Sequence, residues 1–273
     1  MARDADRFAA GVLRRYEELR TASRDLTLSK SMESYVRESA SATAAAFGHP
    51  RFANLPIGAT ASTHAAAVFL DLDQFTSRTF WDAPDDVSRL SIAVLTELAN
   101  IVAGFGGYVL GLRGDGLFAC FEHPDPSTAV GFAIAASARA LDATAGALNN
   151  LLELSGIAPV RLRAGGDFGR LDFSRVGSRE ASEVNAVGFA ANFAAKCEKL
   201  ANSWELIVGQ GAAKYLPGSD LTSHEKSPKI YSRGTDTRTY SIHRVAWRNY
   251  LAVAEGIPEE LAGRSLVDAV QIH

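Results

Sequence analysis

The sequence predicts an α+β domain, a mixed and mainly antiparallel sheet covered by helices, with helical extensions at both ends. Three observations predict it. Apolar runs of strand length alternate with segments whose apolar residues recur every three or four positions. Glycine-rich tips separate short apolar runs, as hairpins require. The chain has 273 residues, 47% hydrophobic and 22% charged, enough for one large domain or for an ordinary domain with extensions.

Residues 1 to about 48 place Phe8, Val12, Tyr16 and Leu19 at helical spacing, followed by a Ser/Ala-rich stretch through Ala46. This helix is expected to cover the core or a dimer partner rather than stand as a solvated face. Residues 49–64 read as loop, with Pro50, Pro56 and Gly58. Residues 65–72 read as a buried strand, and residues 74–78 as the polar entry to a helix. After the loop 81–86, Val87, Leu90, Val94, Leu98 and Ile101 recur at helical spacing, and Gly104, Gly106 and Gly107 end that helix.

A hairpin follows, with strands 108–110 and 117–121 and Asp115 at its tip. Residues 126–154 read as one long Ala-rich helix. Next come a strand over 160–164, a turn at Gly165-Gly166-Asp167 and a second strand over 168–173. The loop 174–182 contains Arg175 and Arg179. A helix over 188–201, a strand at 206–208 and a helix near 210–216 follow, and the segments 229–231 and 238–242 are expected to close the sheet. About thirty residues of helical character trail to His273. Helices alternating with strands and embedded hairpins favour a ferredoxin-like α+β sheet over a doubly wound one. The expected divisions are an N-terminal extension and loop (1–64), a core domain (65–244) and a C-terminal helical extension (245–273).

The net charge of -3 gives no global electrostatic case for binding nucleic acid or an anionic membrane, and neither is an expected partner. Cys120 and Cys197 lack metal-ligand spacing, and Cys120 in its apolar run reads as a buried free thiol. The first seven residues are charged with no apolar core behind them. No window approaches the roughly 18 apolar residues that span a bilayer, so a cytoplasmic protein is expected.

Asp71 interrupts an apolar strand where it should give way to a helix, with free backbone amides just after it, a geometry suited to a metal ion and a phosphate chain. An isolated Asp71 or Asp73 could equally cap the helix. Asp115, 44 residues on, can reach the same sheet edge, and two carboxylates aimed at one point want divalent cations; in isolation Gly114-Asp115-Gly116 is also an ordinary tight turn. Asn192 and Lys196 lie at i and i+4 on one helical face, with Lys199 three further on, so that an amide and a cation can address a sugar and a phosphate together, or simply face solvent.

Phe69-Leu70-Asp71-Leu72-Asp73-Gln74-Phe75-Thr76 resembles the first metal-site motif of the class III nucleotide cyclases, and Leu112-Arg113-Gly114-Asp115-Gly116-Leu117-Phe118 resembles their second. Arg163-Ala164-Gly165-Gly166-Asp167-Phe168-Gly169 is similar to the Arg-x-Gly-x-x-x-Gly strand of that family. Residues 188–201, with Asn192 and Lys196, resemble its Gly-x-x-x-Asn-x-Ala-Ser-Arg helix, and Arg238-Thr239-Tyr240 resembles the strand closing its domain. The four motifs and this strand fall in order over roughly residues 65–243.

The resemblance implies a homodimer with two composite sites. It implies two divalent cations, Mn²⁺ or Mg²⁺, on Asp71, Asp115 and Leu72, and substrate contacts from Phe75, Gly111, Asn185, Asn192 and Lys196. Asn192 becomes the ribose contact and Lys196 the transition-state cation, where the family usually has Arg; Arg233 is a candidate second cation. Adenylate cyclases carry a base-reading Lys at the position of Gly111 and an Asp at that of Asn185. Their loss argues against ATP, and asparagine can face uracil or cytosine as well as a purine. Small cyclases without purine readers resemble the pyrimidine cyclases of Pycsar anti-phage systems, which supply a cyclic pyrimidine nucleotide to a downstream effector. UTP is the favoured substrate and cyclic UMP the favoured product. The rivals are a purine or cytidylate cyclase of the same fold, a diguanylate cyclase, which Gly116 disfavours because it replaces an acidic residue, and a degenerate domain that only binds.

Overall fold

Val68, Leu70 and Leu72 alternate with Phe69, Asp71 and Asp73 along β1 (Thr60–Asp73), so one face of the strand is buried and the other ends in carboxylates. A computed structural model of the chain describes residues 2–28, 47–179, 181–255 and 257. In it β1 lies between β3 (Gly116–Phe121) and β4 (Arg161–Gly177), antiparallel to both. β2 (Tyr108–Arg113) flanks β3. On the other side β4 pairs parallel with β6 (Leu206–Gly209), which is followed by β10 (Ile242–Val245) and β7 (Leu221–Ser223). β5 (Ser182–Val187) folds back on the far half of β4. The order β2-β3-β1-β4, with a helix after β1 and another after β3, is the ferredoxin-like arrangement expected.

Beyond Asp73 the chain turns at Gln74, in the left-handed region at φ 59°, into the short α2 (Phe75–Trp81). α3 (Pro84–Gly104) and α4 (Pro126–Ala143) then cover the apolar face of β1 and β3 with Leu90, Val94, Leu98, Ile134 and Leu141. Asp125 caps α4 by accepting from the Ser127 and Thr128 amides. The long Ala-rich helix continues as expected to Leu154, but through a π turn at Thr144–Leu148 before α5 (Asn149–Leu154). α6 (Phe189–Leu200) lies on the opposite face, its Ala190, Ala191 and Ala194 against Ala65 and Ala67. The N-terminal helix α1 (Ala2–Leu28) packs Phe8, Val12 and Tyr16 on the core, and Tyr16 donates to Asp86 Oδ1 at 3.1 Å. The Ser/Ala-rich part of the N-terminal reading and most of the C-terminal extension lie outside the described residues; within them the C-terminal helix is α8 (Leu251–Ala254), which follows the short α7 (Gln210–Ala213).

Three readings are corrected. The expected pair of strands over 160–173 is one strand, β4, and its glycines are there for a different reason. A Cβ on Gly165 would sit 1.9 Å from the Glu198 amide nitrogen, so Gly165 marks a helix pressed onto a strand instead of a turn. The expected loop over 174–182 is largely strand, the end of β4 and the start of β5. Segments 229–231 and 238–240 do not close the sheet. They form a separate hairpin, β8 (Lys229–Arg233) with β9 (Asp236–Tyr240), because Tyr231 and Tyr240 pack on Phe189 and Phe193 of α6. The apolar alternation of Ile242 and Val245 places β10 beside β6 instead.

Both cysteines are buried and free. Contrary to the expectation from apolar windows, α3 is long and apolar enough by length and composition to cross a bilayer; its Leu90, Val94, Leu98 and Val102 instead belong to the domain core.

Candidate active site

Two local features bring Asp71 and Asp115 to one edge. The β2–β3 hairpin closes through the two-residue turn Gly114-Asp115, with Gly114 at φ 68°, a conformation glycine takes without strain. The Leu72 amide then donates to the Asp115 carbonyl at 3.2 Å, tying the hairpin tip to the end of β1. Asp71 sits opposite Gly116 on one side and opposite Arg163 on the other.

Arg163 holds this edge together. Its Nε and Nη2 donate to Asp71 Oδ2 at 3.0 and 2.7 Å, its Nη2 lies 2.7 Å from Glu198 Oε1, and its Nη1 lies 3.7 Å from Asp73 Oδ1. Burial works against the guanidinium's charge, yet the Asp71 bond and the surrounding carboxylates outweigh it and raise the Arg163 pKa. The carboxylates remain in excess. Burial and then the charge of Asp71, against Arg163, push Glu198 up to about 7, and burial followed by Asp71 also raises Asp115.

An edge so rich in carboxylate oxygen, where burial and then the charge of Asp71 make Glu198 and Asp115 bind protons more readily, suits hard divalent cations. Among the described residues no three His, Cys, Asp or Glu side chains form a closed ligand cluster. Asp71 and Asp115 would therefore supply two carboxylates, with the Leu72 backbone, water and substrate oxygens completing the coordination, the manner in which Mg²⁺ is usually held.

The edge borders a cleft of about 410 Å³ lined by Asp71, Phe75, Asp115, Arg163, Glu198 and Lys199. Phe75 and Asp115 also line an adjoining groove of about 550 Å³ whose walls include Val87, Leu95 and Leu112. Asp73 does not cap the following helix. It accepts from the Ser203 hydroxyl, and α2 begins without a side-chain cap.

The remaining predicted residues lie elsewhere on the chain. Asn192 and Lys196 are on the exposed side of α6 and do not line the Asp71 cleft; Lys196 Nζ donates to the Tyr231 hydroxyl at 3.1 Å. Asn185 is half-buried on β5 opposite Ser174. Gly111 occupies the bulged part of β2 opposite Phe118. Arg233 is exposed at the turn of the β8–β9 hairpin.

Glu198 escapes the sequence reading, as does the central role of Arg163. A signal for Glu198 exists: it follows Ala191 and Ala194 at helical spacing on the face those alanines bury, where a carboxylate needs a partner.

No protein-family model matches the chain. It is 24% identical over 205 residues to a cytidylate cyclase of Staphylococcus aureus, a match covering 69% of this chain and 48% of that protein. It is 25% identical over 193 residues to a cytidylate cyclase of Escherichia coli, covering 67% and 42%. The chain thus spans about half the length of the curated relatives it matches. Among solved structures, the adenylyl cyclase CyaB from P. aeruginosa superposes with a TM-score of 0.59 over 68% of this chain and 95% of that one, at 17% identity. The chain has the class III nucleotide cyclase fold, and in sequence it is similar to two cytidylate cyclases.

Proposed function

We propose that two copies of this chain form a nucleotide cyclase that converts a pyrimidine nucleoside triphosphate into its 3′,5′-cyclic monophosphate and pyrophosphate. The observation that carries this reading is the convergence of Asp71 and Asp115 on one cleft edge beside Arg163. In the reaction the ribose 3′-oxygen attacks the α-phosphorus, its proton is lost, and the bond from that phosphorus to the pyrophosphate oxygen breaks. Asp71, Asp115 and the Leu72 backbone would hold two divalent cations, Mg²⁺ or Mn²⁺, which when bound activate the 3′-oxygen and neutralise the polyphosphate. Asn192 of the second copy orients the ribose, and Lys196 of that copy stabilises charge developing on the phosphates, with Arg233 as a second cation. The separation of Asn192 and Lys196 from the Asp71 cleft within one chain supports a composite site.

Gly111 and Asn185 stand where a purine-reading pair would, and the asparagine amide offers a donor and an acceptor to either pyrimidine. These two residues do not choose between UTP and CTP; the resemblance favours UTP, and the two relatives named cytidylate cyclase shift the preference to CTP. The cyclic product would act on a separate effector as a second messenger, as in the anti-phage systems the chain resembles. Gly116 supports this reading over a diguanylate cyclase, because a side chain there would meet Asp71.

Incubating the purified full-length chain with each of the four ribonucleoside triphosphates and Mn²⁺ tests the proposal. Cyclic CMP or cyclic UMP is expected. A cyclic purine as the main product would sink the pyrimidine assignment, and no turnover of any triphosphate would sink the cyclase reading.

A further inference from the structure

Lysine is a demanding choice for a cation that must meet a phosphate at a fixed point. Its ammonium ends a flexible four-carbon stem, whereas the guanidinium of arginine is a planar fork that loses less freedom per hydrogen bond. Lys196 is exposed on α6, and among the described residues no carboxylate forms an ion pair with it. Something else holds it. Lys196 Nζ donates to the Tyr231 hydroxyl at 3.1 Å and lies 5.1 Å from the centre of the Tyr231 ring.

Tyr231 is itself fixed. It lies on β8 opposite Arg238 of β9, in a hairpin that pairs with no strand of the main sheet. The hairpin is anchored by aromatic contacts to α6 and by Tyr240, whose hydroxyl donates to the buried Asp167 Oδ2 at 3.0 Å and accepts from the Gly211 amide at 2.8 Å. Strand alternation puts Lys229, Arg233 and Arg238, together with the Asp236 carboxylate opposite Arg233, on the same face of the hairpin as Tyr231. Cations outnumber the single carboxylate on this face, and the acceptor that Lys196 reaches is the phenol oxygen of Tyr231, which keeps it against the hairpin.

We propose that Tyr231 is a positioning residue for Lys196. By accepting one ammonium N–H it fixes the direction of the other two toward the phosphate chain, supplying for a lysine the orientation that an arginine carries in its own fork. The role of Lys196 in this inference rests on the proposed cyclase activity.

Tyr231→Phe removes the acceptor while keeping the ring, its contact with Phe189 and the cation over its face. In the full-length protein, kcat for the preferred triphosphate is expected to fall about tenfold with KM changed less than about twofold, the signature of a cation misplaced in the transition state. Lys196→Arg in the Tyr231→Phe background is expected to restore most of the loss, which a merely destabilised hairpin would not allow. Independently of turnover, the rate of Lys196 acylation by an amine-reactive ester, read by peptide mass spectrometry, is expected to rise in Tyr231→Phe. Wild-type kcat in Tyr231→Phe, or a loss that Lys196→Arg leaves untouched, overturns the inference. If the wild type turns over no triphosphate, the proposed function fails, and the acylation rates still decide the clamp: equal rates in wild type and Tyr231→Phe overturn it.

Discussion

Gly116 faces Asp71 across the β1–β3 ladder, and a Cβ added there would sit 2.9 Å from Asp71 Oδ1 and 3.2 Å from the Leu70 carbonyl. The space in which the Asp71 carboxylate rests is therefore made by a missing side chain on the neighbouring strand.

Gly116→Ala should accordingly act on activity more than on stability. Displacing the carboxylate by a fraction of an ångström is expected to lower kcat by about tenfold to a hundredfold. Thermal unfolding should fall by only a few degrees, for a change of about 1 kcal/mol. Steady-state kinetics beside a melting curve check both halves.

Asp71→Ala is expected to reduce turnover by roughly a thousandfold or more while leaving the wild-type elution position unchanged in size-exclusion chromatography. In Asp71→Asn the charge that helps push Glu198 up to about 7 is gone, so Glu198 should titrate lower. Carbon-13 NMR of the glutamate carboxyls measures that change without any substrate.

Gly165→Ala should be the most damaging single-methyl change in the sheet. The new Cβ would meet backbone atoms of α6 that no rotamer can move, 1.9 Å from the Glu198 amide nitrogen and 2.5 Å from its Cα. A loss of about 3 kcal/mol or more in urea unfolding is expected, or failure to fold.

Stability should respond to pH in two opposite ways. Burial raises Asp167 from 3.8 to about 6, so the folded state holds its proton more tightly than the unfolded chain does. Its contribution is full below pH 3.8 and is lost as pH rises through about 6; Asp167→Asn should flatten that slope. Glu122 behaves in the reverse sense. Burial opposes its charge, but bonds from His49 and Thr63 and the nearby Arg51 bring it from 4.5 down to about 2. Its contribution is full above pH 4.5 and is lost as pH falls through about 2, and Glu122→Gln should remove it, by about 2 kcal/mol at neutral pH. Urea titrations of the wild type and both variants across pH 2 to 8 separate the two.

The carboxylates and the strands that bear them are legible in the sequence because their signals are short-range: an apolar strand broken by Asp71, a glycine-flanked tip at Asp115. What the sequence hides depends on contacts between distant segments. Gly165-Gly166-Asp167 reads as a turn until a helix thirty residues later is seen pressed against it. The meeting of Arg163 with Asp71 depends on the register of β4 against β1, and no local pattern states that register. The closing strands are misread for a similar reason. Tyr231 and Tyr240 look like strand residues of any sheet, and only the aromatic surface of α6 explains why their hairpin leaves the main one.

β4, one unbroken strand where two were expected, also serves as a ruler. Arg163, opposite Asp71, and Ser174, opposite Asn185, lie on it eleven residues apart, about 36 Å at the rise of an extended chain. A nucleotide triphosphate is far shorter than that, so a single substrate cannot touch Asp71 and Asn185 of the same copy. Under the proposed two-copy reading, the length of this strand is what would assign base and phosphates of one substrate to different copies.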